Sequence, residues 1–110
     1  MDKSNAIEAL HALAQDTRLA TFRLLVKHGA EGMAAGDIAD ALGVKQNTMS
    51  ANLAVLARAG MVRSAREGRV IRYFADFDGM RSLLAFLMED CCGGNPDLCK
   101  PVLDEVICAC

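Results

Sequence analysis

The chain has 110 residues, 53% of them hydrophobic, and a net charge of −2. That is the length of one domain with apolar mass for its own core, and the longest apolar run, Leu83 to Met88, is far too short to span a membrane. No signal-peptide pattern precedes Asn5, so the five cysteines predict a cytoplasmic protein whose thiols serve metal or redox chemistry instead of a disulfide framework.

The charge is unevenly spread. Residues 1–43 carry 4 basic and 6 acidic side chains, 44–75 carry 6 and 1, and 76–110 carry 2 and 7. The overall balance speaks against a nucleic-acid binder, but the positive middle segment can meet phosphates locally.

A first helix is expected after Ser4 or Asn5, either of which can cap it, with Ile7, Leu10, Leu13 and Ala14 on its buried side. Asp16 caps a second, about residues 17–27, which buries Leu19, Phe22, Leu25 and Val26. It ends near Gly29, where Lys27 and His28 suit the negative end of the helix dipole. His11 and His28 read as helix-surface residues.

Residues 36–62 are the most organised stretch. Ile38, Ala39 and Leu42 give a short helix a buried stripe, and Gly43 supplies the residue a sharp turn favours. A helix from about Gln46 to Arg58 follows, with Met49, Leu53 and Leu56 inward. Its other side, Asn47, Ala51, Ala54 and Arg58 with Thr48 and Ser50 beside them, is small and polar. Such a pair reads as a helix-turn-helix whose second helix can enter a major groove. Gln46, Asn47, Thr48, Ser50, Ala51 and Asn52 are then the base-facing candidates. The alternative is a helical hairpin with a merely solvated face.

The hydrophobic period then changes. Residues 61–65 and 70–75 read as strands of a hairpin turning at Arg66-Glu67-Gly68-Arg69, where Gly68 supplies a positive φ. Arg63, Arg66, Arg69 and Arg72 lie on or beside this wing, and Arg66 and Arg69, flanking the turn, are candidate phosphate contacts. Residues 77–90, capped by Asp76 or Asp78, are apolar almost all round: Phe77, Met80, Leu83, Leu84, Phe86, Leu87 and Met88. The surplus apolar surface predicts a symmetric dimer.

Several motifs in fixed order carry a resemblance. Leu13-Ala14-Gln15-Asp16-Thr17-Arg18-Leu19, Asp37-Ile38-Ala39, Gln46-Asn47-Thr48-Met49-Ser50, Ala59-Gly60-Met61-Val62 and Arg66-Glu67-Gly68-Arg69 with Tyr73 resemble the ArsR/SmtB family of dimeric winged-helix metal-sensing repressors, over about residues 5–90. The resemblance implies a mainly α fold with a two-stranded β-wing, a homodimer and double-stranded operator DNA as partner. The chain departs from the family pattern at Lys45, where a small N-cap such as Ser is usual, and at Asn52, where His is usual. Arsenic-responsive members often hold Cys-Val-Cys at the positions of Ala34, Ala35 and Gly36, so an inducer site must lie elsewhere. Both histidines fall in the N-terminal third, without a nucleophile motif or Gly-rich phosphate loop, which argues against an enzyme.

The expected division is a DNA-binding and dimerisation domain over 1–90 and a Cys-rich inducer-binding segment over 91–110. Cys91 and Cys92 end the long helix before Gly93-Gly94, Asn95-Pro96 open another, and Cys99 sits in its first turns. A fold-back there can gather three sulfurs, and the helix N-terminus favours the Cys99 thiolate. Thiolates alone select soft ions; three suit the pyramid of arsenite or antimonite, whereas structural zinc wants a fourth ligand. The arrangement also resembles arsenite-responsive family members with a Cys-Cys pair and a third Cys after the dimerisation helix. The expectation is a repressor released from DNA by arsenite, possible alternatives being another soft metal ion or a disulfide involving Cys99. Cys108 and Cys110 are candidate additional ligands in a tail where Val102, Leu103, Val106 and Ile107 can form a short helix whose start Pro101 limits.

Overall fold

The computed structural model describes residues 1–89 and 96–106. Helix α1 (Lys3–Leu13) begins earlier than expected because Asp2, not Ser4 or Asn5, is its cap, accepting from the Asn5 N–H at 2.7 Å. Its buried face is Ala6, Ala9 and Ala12, while Ile7 is 56% exposed and Leu10 42%. Of the expected stripe, Leu13 is half-buried against the core, while Ile7, Leu10 and Ala14 point outward; three alanines let the helix axis lie close against its neighbours, which larger side chains would prevent.

Helix α2 (Asp16–His28) is likewise capped one residue early, by Gln15, whose side chain accepts from the Arg18 N–H at 2.8 Å. Phe22 and Leu25 are core residues as expected, but Leu19 and Val26 are exposed and Thr21 is buried in their stead. The Thr21 hydroxyl satisfies itself on the Thr17 carbonyl, one turn back, at 2.7 Å. His11 is exposed, and half-buried His28 pairs through Nδ1 with the Leu24 carbonyl.

After a 3-10 turn at Gly29–Glu31 comes a two-residue strand, β1 (Met33–Ala34), then α3 (Ala35–Leu42) and α4 (Gln46–Arg58). Gly43 joins these helices at φ 66°, the left-handed conformation that closes α3. The α4 boundaries agree with the 3.6-residue period, and Met49, Leu53 and Leu56 are fully buried. They meet Ala9, Ala12, Phe22, Leu25, Ile38 and Met61 in one core.

Strands β2 (Val62–Glu67) and β3 (Val70–Ala75) form the hairpin, with Gly68 at φ 63° in its turn. The sheet has three strands, in the order β1-β3-β2, because Met33 and Ala34 pair antiparallel with Tyr73 and Arg72. The wing hairpin is thus anchored along the middle of β3 to the segment leading into α3.

Helix α5 (Phe77–Leu87) is capped by Asp76, which accepts from the Gly79 N–H at 2.9 Å. Leu83 faces the core, while Phe77, Leu84 and Leu87 are exposed. Helix α6 (Pro96–Val106) runs through Pro101 without stopping, where the sequence suggested that proline would delay a helix. Pro101 is in the second turn, so its missing N–H removes one backbone bond and leaves the later turns intact. Leu103 of α6 helps line an apolar groove of about 430 Å³ along Phe77, Met80, Leu84 and Met88 of α5 and its C-terminal end.

Candidate nucleic-acid interface and thiol segment

Helix α4 presents its polar side to solvent. Lys45 stands at the N-cap in an extended conformation and gives no side-chain cap bond. The adjacent Asn47 takes over part of that role, its Oδ1 accepting from the Thr48 N–H at 2.9 Å. Gln46, Asn47, Thr48, Ser50 and Ala51 are all exposed. They share the outward face with Ala54 and Arg58, opposite the Met49, Leu53 and Leu56 stripe that seats the helix on α3.

Asn52 differs from the others. It is half-buried on the flank of α4, and its Oδ1 accepts from Arg18 Nη1 at 3.4 Å. Arg18 also donates through Nε to the Ala12 carbonyl at 2.6 Å, one of the end carbonyls that α1 cannot pair internally. One side chain thus ties the end of α1 and the start of α2 to α4. Nothing in the local pattern around Arg18 marks this role; it depends on a contact 34 residues away in sequence.

The four wing arginines divide into two kinds. Arg66 and Arg69 are exposed beside the turn, Arg66 bonding lightly to the Gly68 carbonyl at 3.1 Å. Arg63 instead lies 4.4 Å over the ring of Phe74, its cross-strand partner. Arg72 pairs with Glu67 at 2.9 Å and donates to the carbonyls of Glu31 and Gly32, both at 3.1 Å. The Arg63 contact and the Arg72–Glu67 pair lie within the hairpin, whereas the Arg72 bonds to the Glu31 and Gly32 carbonyls depend on the segment just before β1 lying beside β3, which no local pattern shows.

Cys99 is the one cysteine among the described residues. It is 6% exposed on α6 and is disulfide-bonded. Cys91, Cys92, Cys108 and Cys110 lie outside the described residues, so the proposed gathering of three sulfurs does too.

Comparison with known proteins adds the family. A helix-turn-helix domain model matches residues 13–65, which run from the end of α1 into the wing. The homodimeric winged helix-turn-helix DNA-binding domain of Mb0332 from Mycobacterium bovis, a possible ArsR-family transcriptional regulator, is 32% identical, with 77% of each chain covered and a TM-score of 0.63. The chain belongs to the ArsR family of transcriptional regulators.

Other ArsR-like folds superpose over more of its length. A possible transcriptional regulator for arsenical resistance is 26% identical over 88% of this chain and 95% of its own, with a TM-score of 0.64. The ArsR-like transcriptional regulator from Rhodococcus sp. RHA1, at 22% identity, covers 97% of this chain and 96% of its own with a TM-score of 0.71, a likeness of fold. Among curated proteins no relative matches. In this ArsR-family chain α3 and α4 are the helix-turn-helix and β2–β3 the wing. Among the described residues no helix is long and apolar enough to cross a membrane.

Proposed function

We propose that this ArsR-family regulator is a cytoplasmic homodimeric repressor that binds double-stranded operator DNA and is released when arsenite, or antimonite, binds Cys91, Cys92 and Cys99. The exposed small polar face of α4 carries the DNA half of this reading, with Gln46, Asn47, Thr48, Ser50, Ala51 and Asn52 toward the bases and Arg66 and Arg69 of the wing on phosphates. Mb0332 is a homodimeric DNA-binding domain, and the outward Ile7 and Leu10 of α1, beside α5 with Leu84 and Leu87, offer this chain the apolar surface for a two-fold partner.

The inducer half rests on donor chemistry. A Cys-Cys pair and a third Cys, without histidine nearby, make a sulfur-only set directly after α5. The likeness to a possible regulator for arsenical resistance supports the choice of metalloid. Residues 1–90 then act as the DNA-binding and dimerisation unit and 91–110 as the inducer-binding segment, Cys108 and Cys110 being outside the three-sulfur set. The test is direct binding to the reduced chain: one arsenite should protect three thiols from alkylation, and Cys91→Ser, Cys92→Ser or Cys99→Ser should each abolish tight binding. Unaltered alkylation of all three thiols with arsenite present would contradict the site.

The disulfide at Cys99 favours a second reading, thiol oxidation as the signal. Two thiols would give up two protons and two electrons to an oxidant such as a peroxide, and the bond formed would re-aim the segment after α5. Release of DNA by peroxide, with no response to arsenite under full reduction, would select this reading over the first.

A further inference from the structure

We propose that the wing meets DNA through one of its two faces only, with Ile71 packed on the deoxyribose walls of the minor groove beside Arg66; the inference deepens the operator-binding reading above and rests on it. Strand alternation divides the hairpin into two faces. Val62, Ser64 and Arg66 of β2 share one face with their register partners Ala75, Tyr73 and Ile71 of β3. At the base of that face Val62 and Ala75 are buried in the core with Leu53 and Leu56 of α4, and β2 lies against α4 there. Farther out the core ends, and Arg66 and Ile71 are exposed on the side of the sheet where α4 lies.

The opposite face is built differently. Arg63 covers Phe74, and Arg72 is engaged by Glu67 and by the Glu31 and Gly32 carbonyls. Its outermost pair is Glu67 and Val70, so an exposed carboxylate stands where a phosphate would have to come. The Arg66–Ile71 face carries a cation and no acid. Position beside α4 and charge complementarity therefore turn the same face to the duplex.

A single exposed aliphatic residue is common on any protein surface. Ile71, 45% exposed, gains its meaning from its partner: a branched apolar side chain stands directly across from a guanidinium, outside the core. The minor groove has matching chemistry, with C–H walls of deoxyribose running between two rows of phosphates. Ile71 can lose water against sugar while Arg66 reaches phosphate. Its contribution should then be independent of salt, unlike that of Arg66.

The test uses the full-length reduced protein and a duplex selected by the wild type from a randomised library, with affinity measured across a range of salt. Ile71→Thr keeps the β-branch and replaces the ethyl group with a hydroxyl; it should weaken binding about 3- to 10-fold at every salt concentration, with the slope unchanged. Ile71→Val should fall between it and the wild type. Val70→Thr, on the other face, should bind as the wild type does. Hydroxyl-radical cleavage, which attacks deoxyribose from the minor groove, should show protection at the outer edges of the site lost in Ile71→Thr and protection at its centre kept. Wild-type affinity in Ile71→Thr, an equal loss in Val70→Thr, or an unaltered cleavage pattern overturns the proposal alone. A wild-type protein that enriches no sequence overturns the operator reading and the proposal together.

Discussion

Gly79, in the first turn of α5, lies so close to Gly60 that a Cβ there would overlap the Gly60 carbonyl oxygen. The contact seats α5 against the turn between α4 and the wing, so the apolar helix and the DNA-facing helix share a rigid joint. Gly79→Ala should force these elements apart and cost about 1–3 kcal/mol. Thermal denaturation should register a fall of about 4–8 °C per kcal/mol. Gly36→Ala, in α3 with nothing within 4 Å of the added carbon, is the control and should raise the midpoint by a few degrees, as removing a helical glycine stabilises by about 0.4–1 kcal/mol.

The wing arginines should separate in a salt titration. Arg66→Ala with Arg69→Ala should weaken binding to all duplexes alike and reduce the slope of log affinity against log salt by about 1.8, two phosphates' worth. Arg72→Ala should leave that slope unchanged and lower stability, since Arg72 is engaged by Glu67, Glu31 and Gly32. A slope change with Arg72→Ala alone would reassign the contacts.

Exposed apolar residues on α1 and α5 should hold two copies together. Ile7→Glu with Leu84→Glu should give a folded monomer in sedimentation at micromolar concentration, with operator affinity reduced because a single recognition helix buries little surface. A dimer that survives the double change would place the interface elsewhere.

How much of this was legible in the sequence varied with the element. Helix α4 could be read to its ends because Met49, Leu53 and Leu56 are bulky, evenly spaced and all buried. Helix α1 misled, because reading its side by bulk selected Ile7 and Leu10, whereas the buried side is made of Ala6, Ala9 and Ala12. A packing face of alanine has little hydrophobic contrast to show in a periodicity. Strand β1 is two residues long and exists only by pairing with Tyr73 and Arg72, so no local pattern announces it. Of the interface, the exposed face of α4 and the wing turn were visible, but the bonds of Arg72 to the Glu31 and Gly32 carbonyls and the tie from Arg18 to Asn52 are products of tertiary contact.

The N-terminus of α4 offers a further check. With Lys45 giving no side-chain cap bond and Asn47 bonding the Thr48 N–H in its place, Lys45→Ser should strengthen the helix start and raise stability by about 0.5–2 kcal/mol. Urea denaturation should show a higher midpoint at an unchanged slope.

In the proposed function, a thiophilic ion bound just after α5 breaks the grip on DNA. Arsenite needs only to bind the DNA-incompetent arrangement of the dimer better, and a coupling of about 1–3 kcal/mol would weaken operator binding roughly 5- to 150-fold. The most direct measurement is operator affinity of the fully reduced protein, by fluorescence anisotropy, with and without one equivalent of arsenite per chain. A loss in that range is expected for the wild type, and no loss for Cys91→Ser, Cys92→Ser or Cys99→Ser proteins that bind DNA normally without arsenite. An unchanged affinity for the reduced wild type at saturating arsenite would contradict it.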